Sequence, residues 1–154
     1  MWAVVRQMEL DPNLRGAVES LHRAGWSMLV TSAGCEWYIR RLLATAGVEV
    51  EIHANPGRFE AGKGLLMEMP TGSPFWSPTL GVDKAAVVRR HLNDGGTVAY
   101  AGDGFPDAEP AQRVPAHLRF ARGDLAGVLR SEGLPFQAFD TWSDIADILL
   151  QRKA

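Results

Sequence analysis

The sequence predicts a single-domain α/β fold with a mainly parallel sheet, and three observations support this prediction. Short apolar runs typical of buried strands alternate with segments whose apolar residues recur at helical spacing. Glycines such as Gly25 and Gly47 follow the helical segments, where helices commonly end. The 154 residues, 46% of them hydrophobic, can bury one core, and no repeat or domain boundary is visible. This order of elements implies right-handed crossovers between parallel strands.

The first half of the chain is predicted to begin with a helix, because Asp11 and Pro12 are typical of an N-cap and a first helical residue. Leu14, Val18 and Leu21 then form one apolar face. The predicted elements are a helix reaching residue 24, a strand at 27–31, a helix at 36–45, a strand at 48–53, and a β-hairpin insertion within 49–70 whose return strand is 65–69.

The second half follows a stretch with three prolines, residues 70–82, which is predicted to be a loop. Asp83 can cap the helix that comes after it. The remaining predicted elements are a helix at 83–92, strands at 97–101 and 118–120, a helix at 124–132, a strand at 136–139 and a helix at 143–151. The alternation of strand and helix therefore continues through the chain.

The composition argues against several classes of protein. A formal net charge of −2 gives no reason to expect a nucleic acid or an anionic membrane as a partner. Cys35 is the single cysteine, which excludes an internal disulfide and fits a reducing compartment. The apolar start at Met1–Val5 is too short for a signal peptide or a membrane span. We therefore expect a cytoplasmic protein.

Residues 101–107, Ala-Gly-Asp-Gly-Phe-Pro-Asp, carry the strongest functional signal. Asp103 and Asp107 lie just beyond the carboxyl end of a predicted strand, where open α/β sheets bind ligands. The glycine after the first aspartate lets the backbone turn sharply. Oxygen ligands on such a turn suit Mg²⁺ better than a soft metal. The alternative is a turn whose aspartates cap a helix.

Two further segments carry groups that bind phosphate. Ser32 lies at the end of a predicted strand, and the amides of Ala33 and Gly34 could face an anion at the start of the next helix. Lys84 begins the helix after the long loop. A hydroxyl, free amides, an ammonium and a carboxylate pair together describe a site for phosphate and magnesium. The alternatives are a helix-capping serine and a solvated lysine.

The order and spacing of these segments resemble the haloacid dehalogenase superfamily, in particular its phosphoserine phosphatase-like branch. The resemblance rests on matches to that family's second, third and fourth motifs, which are Val-Thr-Ser-Ala-Gly at 30–34, Gly-Val-Asp-Lys at 81–84 and Gly-Asp-Gly-Phe-Pro-Asp at 102–107. Further matches at 10–15 and 120–125 extend it, so that it covers about residues 10 to 148. It implies a Rossmannoid three-layer sandwich, with a small β-hairpin insertion but without a full cap.

The resemblance also implies a role for each matching residue. Ser32 would donate a hydrogen bond to a phosphoryl oxygen, helped by the backbone of Ala33 and Gly34. Lys84 would neutralise the phosphoryl group and position the nucleophile. The metal ligands would be the two aspartates: Asp103 would bind Mg²⁺ directly, and Asp107 would support the ion through water or through Lys84.

The family's first motif, Asp-x-Asp-x-Thr/Val, has no match before residue 10. In the family this motif supplies the aspartate nucleophile and the general acid, and it lies on the central strand of the sheet. Without it we expect a weakened Mg²⁺ site and weak or unconventional phosphatase activity.

Three arrangements could fill the resulting gap in the sheet. The two flanking strands could pair directly, residues 1–5 could form a substitute strand, or another subunit could insert a segment. The strand-forming composition of Trp2–Val5 favours the last two arrangements. We expect a homodimer in which the N-terminal segment takes part.

The sequence leaves three functions open. The first is a minimal phosphatase that hydrolyses a small phosphomonoester, such as phosphoserine, with Mg²⁺. The second is a binding or regulatory module that keeps Ser32 and Lys84 as a phosphate cradle but turns nothing over. The third is a fragment of a full-length phosphatase. In each case the expected ligand is a small phosphorylated metabolite.

Overall fold

The computed structural model describes residues 10–151, which form two compact units, residues 10–83 and residues 84–151. Each unit combines helices with parallel strands. The predicted α/β class is therefore confirmed at this level, with the parallel strands in two small sheets, one in each unit. The single-domain organisation stays a prediction, and the strand predicted within residues 1–5 lies outside the described residues.

The first unit is built around two parallel strands, each preceded by a helix. Helix α1 (Leu14–Arg23) leads into strand β1 (Leu29–Cys35), and helix α2 (Glu36–Thr45) leads into strand β2 (Glu51–Asn55). Strands β1 and β2 pair in parallel. Burial of aliphatic side chains holds such short helices in place. The core consists of Leu14, Leu43 and Val48, with Val18, Val30, Ile39 and Ile52 among the residues packed against it.

Helix α1 begins two residues later than predicted. Its N-cap is Asn13. The predicted cap, Asp11, instead accepts a hydrogen bond from the Asn13 backbone amide on its Oδ1, at 2.8 Å. An aspartate that bonds the backbone two residues on stabilises a turn before the helix, and this turn displaces the helix start from Pro12 to Leu14.

Two antiparallel pairs complete the first unit. Strands β3 (Gly57–Glu60) and β4 (Gly64–Met67) form a hairpin inside the segment for which one was predicted. Strands β5 (Trp76–Ser77) and β6 (Gly81–Val82) also pair, so the prediction of a loop over residues 70–82 was wrong for these four residues. The proline-rich composition gave no sign of the tight turn between β5 and β6. This turn ends at Gly81, which has a positive φ of 75°.

The second unit contains a three-stranded parallel sheet in the order β7–β8–β9. Its apolar core includes Val88, Tyr100, Val114, Leu125 and Leu129. The elements in chain order are helix α3 (Lys84–Asn93), strand β7 (Tyr100–Gly102), a 3-10 turn (Phe105–Asp107), helix α4 (Ala108–Gln112), a second 3-10 turn (Ala116–Leu118), strand β8 (Arg119–Ala121), helix α5 (Gly123–Ser131), strand β9 (Gln137–Ala138) and helix α6 (Trp142–Gln151).

A buried cation supports this sheet from inside. Arg119, the first residue of β8, is 6% exposed and donates to three backbone carbonyls. The acceptors are Ala111 at 2.7 Å, Val114 at 2.8 Å and Pro135 at 2.9 Å. These bonds satisfy carbonyls in the last turn of the short helix α4, just after that helix, and in the loop before β9, and they tie these segments to the central strand.

Within residues 10–151, none of the helices combines the length and the apolar character that a membrane crossing demands.

Candidate functional site

A buried carboxylate, that of Asp107, is the centre of the candidate site in the second unit. Its side chain is only 6% exposed. Oδ1 accepts hydrogen bonds from Lys84 Nζ at 2.6 Å and from the Tyr100 hydroxyl at 2.6 Å. Oδ2 accepts from the backbone amides of Asp103 at 3.1 Å and of Gly104 at 3.0 Å. One carboxylate therefore fixes an ammonium, a phenol and the turn that follows β7.

Local sequence encodes this turn. Gly102 ends β7 so close to Asp107 that a Cβ on the glycine would lie 2.6 Å from the aspartate side chain. Pro106 has a fixed φ that suits the first turn of the 3-10 segment. Asp107, two residues into that segment, returns its carboxylate to the amide of Gly104, as in half of a capping box. A glycine, a proline and an aspartate at this spacing bring the carboxylate back over the strand end.

The start of helix α5 fixes the other side of the turn. The Leu125 amide donates to the Asp103 carbonyl at 3.2 Å, and the Arg122 amide donates to the Gly102 carbonyl at 3.2 Å. Gly123 has a positive φ of 54°, and a Cβ there would come within 2.8 Å of the Asp103 carbonyl oxygen. Residue 123 must therefore be glycine for the two segments to approach this closely.

The charges in this cluster stabilise one another. Burial alone raises the pKa of Asp107, but hydrogen bonds from Lys84, Tyr100 and the Gly104 amide outweigh it and leave the pKa below its ordinary value. Burial, and next the negative charge of Asp107, raise the pKa of Tyr100 far above its ordinary value. The site therefore holds an ionised carboxylate, and a neutral phenol donates to it.

Asp103 lies in a different environment from Asp107. Its side chain is 65% exposed, and its Oδ2 is 3.7 Å from Arg122 Nη2. Asp107 already accepts four hydrogen bonds, which fits the supporting role that the resemblance implies for it better than direct ligation. Asp103 is thus the one of the two aspartates that is open to a cation.

A magnesium centre needs more than the described residues provide. Mg²⁺ prefers octahedral oxygen coordination, and Asp103 offers one carboxylate. In the part of the chain that the structure describes, no group of three or more His, Cys, Asp or Glu side chains could hold a metal ion. These residues do not by themselves fit a Mg²⁺ centre, so we derive no chemical step through the ion.

The predicted phosphate segment, Ser32–Gly34, is a bulge in strand β1 of the first unit. The pairing shifts here, so that its three residues stand opposite a single residue of β2, Ala54. β1 continues to Cys35 instead of ending at residue 31 as predicted. The Gly34 amide donates to Ser32 Oγ at 3.0 Å, so it is not free for an anion as predicted. Because Ser32 Oγ accepts that bond, its hydroxyl proton can be donated to another acceptor.

A buried amide holds the bulge from behind. Asn55, the last residue of β2, is 3% exposed, and its Nδ2 donates to the Ala33 carbonyl at 2.7 Å. Tyr38 covers the other side of the bulge. Its hydroxyl lies so close to Gly34 that a Cβ on this glycine would be 2.1 Å from the hydroxyl oxygen. The backbone of the bulge is therefore fixed by a side chain of the neighbouring strand and covered by one from α2.

The sequence-predicted residues fall into two groups. Lys84 and Asp107 are in contact in the second unit, with Asp103 in the same turn, whereas Ser32–Gly34 belong to the first unit. Sequence reasoning missed Tyr100 and Asn55. The available signal was a polar side chain on a terminal residue of a buried strand. Tyr100 is the first residue of β7, and Asn55 is the last residue of β2.

No protein-family model matches this chain, and no curated protein matches it at a significant level. The resemblance to the haloacid dehalogenase superfamily therefore stays a hypothesis that rests on the sequence motifs.

Proposed function

We propose that the chain is a phosphatase-like domain of the haloacid dehalogenase type that binds the phosphoryl group of a small phosphomonoester. The observation that carries the proposal is the ammonium of Lys84, held at 2.6 Å by the buried carboxylate of Asp107. A lysine placed in this way at a strand-end turn provides a fixed positive charge, which phosphoryl chemistry requires.

The proposed chemistry is positioning and charge neutralisation. Phosphoryl transfer depends mainly on orienting the reacting groups and on stabilising the charge of the phosphoryl oxygens. Lys84 would neutralise that charge, since its bond to Asp107 uses only one of three ammonium protons. In the first unit, the Ser32 hydroxyl has a proton that it would donate to a phosphoryl oxygen. Asp107 would act as a positioning residue that keeps Lys84 in place.

Turnover also needs an attacking group. In the turn around Asp107 the exposed carboxylate is Asp103, and the family assigns that residue to the metal instead of to the phosphorus atom. We therefore propose that turnover is weak, with an attacking group that comes from outside this cluster.

A second candidate is a module that binds phosphorylated ligands without hydrolysing them. The saturated carboxylate of Asp107 favours it, because a group that accepts four hydrogen bonds has no lone pair left for attack or for a metal. Both candidates share the same phosphate-binding residues and differ only in turnover.

A turnover assay distinguishes the two candidates. The full chain is assayed with phosphoserine and with a chromogenic phosphate ester, with and without Mg²⁺, beside Lys84→Gln and Asp103→Asn. The control is Lys63→Gln, since Lys63 is 70% exposed and pairs with a hairpin glutamate, Glu60. A phosphatase predicts a loss of about a hundredfold in Lys84→Gln and none in Lys63→Gln. Equal rates in all four proteins would contradict the phosphatase.

A further inference from the structure

We propose that Asn55 is a positioning residue that shapes the Ser32 bulge for a phosphoryl oxygen. This inference rests on the proposed function, because it adds a residue to the same phosphate-binding segment. Asn55 touches no ligand in this account. It acts on the bulge backbone, through the Ala33 carbonyl.

The hydrogen bonds determine how Asn55 would act. Its Nδ2 donates to the Ala33 carbonyl at 2.7 Å, and this bond turns the carbonyl inward, toward β2. The residues on either side of Ala33 are Ser32 and Gly34, which bond each other at 3.0 Å across it. A fixed peptide between them fixes the position of Ser32 Oγ and the direction in which its proton can be donated.

The other end of the Asn55 amide adds no hydrogen bond to the described fold. Within the described residues, Oδ1 is buried and has no hydrogen-bond partner. Burying an acceptor without a partner costs free energy, which offsets part of what the bond from Nδ2 to the Ala33 carbonyl contributes to stability. Reversing the amide would place Oδ1 against the Ala33 carbonyl oxygen, so the observed orientation is the one that supports the bulge.

Gly81 makes room for this arrangement. A Cβ on Gly81 would lie 2.1 Å from Asn55 Oδ1, and φ at this glycine is +75°. Any side chain at residue 81 would therefore displace Asn55 as well as strain the backbone. This explains why a glycine is needed at the first position of the Gly-Val-Asp-Lys segment, residues 81–84.

A double-mutant cycle with orthophosphate as the probe tests the inference. Orthophosphate is titrated calorimetrically into the full chain, Asn55→Leu, Ser32→Ala and the double variant. Asn55→Leu is expected to weaken binding about tenfold, and circular dichroism verifies that each variant is folded. In the Ser32→Ala background the same substitution is expected to have no further effect, because Asn55 acts through Ser32. A purely structural role would not produce this pattern.

Two further variants keep the test decisive. Asn55→Asp has the same size but cannot donate to the Ala33 carbonyl while ionised, so it should weaken binding as Asn55→Leu does. The exposed Asn93, at the end of α3, is the matched control, and Asn93→Leu should leave affinity unchanged. Unchanged affinity in Asn55→Leu and Asn55→Asp, or an undiminished effect in the Ser32→Ala background, would overturn this inference alone. If the unmodified chain does not bind orthophosphate, the proposed function fails and this inference fails with it.

Discussion

Asp107 organises more of the described structure than any other single side chain in the candidate site. It accepts from Lys84, Tyr100 and two backbone amides while almost fully buried. Removing one partner of a buried, hydrogen-bonded ion pair leaves the other charge without compensation, and this costs far more than breaking a surface pair.

We expect Asp107→Asn to lower the free energy of unfolding by about 3 kcal/mol, because Lys84 loses its counter-charge in a largely buried site. Urea denaturation followed by circular dichroism measures this change. The matched control is Asp94→Asn, which breaks the exposed i,i+4 pair with Arg90 at 2.8 Å and should cost less than about 1 kcal/mol. Equal losses in the two variants would show that the Asp107 cluster is no more than a surface ion pair.

The pH dependence of the same variant checks the charge state of Asp107. Its pKa is lowered in the folded chain, so the unfolded chain binds the proton more readily. The stabilisation is therefore fully present above about pH 4 and is lost as the pH falls through the lowered pKa. Asp107→Asn should lose less stability over this acid range than the unmodified chain.

Tyr100 gives the corresponding prediction at alkaline pH. The pKa of its phenol is raised in the fold, so the stabilisation is present below the ordinary value of 10.0 and is lost as the pH rises above it. The chain has two tyrosines, and tyrosinate absorbance should show one of them ionising only as the chain unfolds. Tyr100→Phe should remove that late phase. A late phase that persists in Tyr100→Phe would contradict the assignment.

Among the elements, strand β8 depends on a buried cation. Arg119 donates to three carbonyls, two in the segment before β8 and one in the segment after it. An apolar side chain at this position would leave all three acceptors without this donor. We expect Arg119→Met to lower the free energy of unfolding by about 3 kcal/mol. The control is Arg130→Met in the same unit, an exposed guanidinium 5.4 Å from the Phe136 ring, which should cost less than about 1 kcal/mol. Similar thermal denaturation of both variants would refute the role of Arg119.

The elements also show what the sequence could and could not predict. Helix α2 has the predicted bounds, 36–45, because its apolar period and the glycine after it both act locally. The bulge at Ser32–Gly34 was not predictable in the same way, since it depends on pairing with β2 and on Asn55, which lies 22 residues away from Ala33. Local sequence patterns determine where a helix begins and ends, whereas residues distant in the sequence determine irregularities such as this bulge.

At the scale of the whole molecule, residues 10–151 form two compact units, and each contains residues predicted from the sequence to bind phosphate. The first holds the Ser32 bulge, braced by Asn55, and the second holds the Lys84–Asp107–Tyr100 cluster. The aspartate turn was predictable because glycine, proline and aspartate encode it over seven residues. The phenol of Tyr100 was not, because only the folded chain brings it to the carboxylate.

The central claim is that Lys84, held by Asp107, binds a phosphoryl group. Calorimetric titration of orthophosphate into the full chain, Lys84→Gln and Lys63→Gln tests it most directly. Glutamine carries no charge but keeps an N–H donor, and circular dichroism of Lys84→Gln verifies that this variant is folded. We predict saturable binding in the full chain and in Lys63→Gln, and a loss of at least about tenfold in affinity in Lys84→Gln. Equal affinity in all three proteins, or no binding by the full chain, would contradict the account.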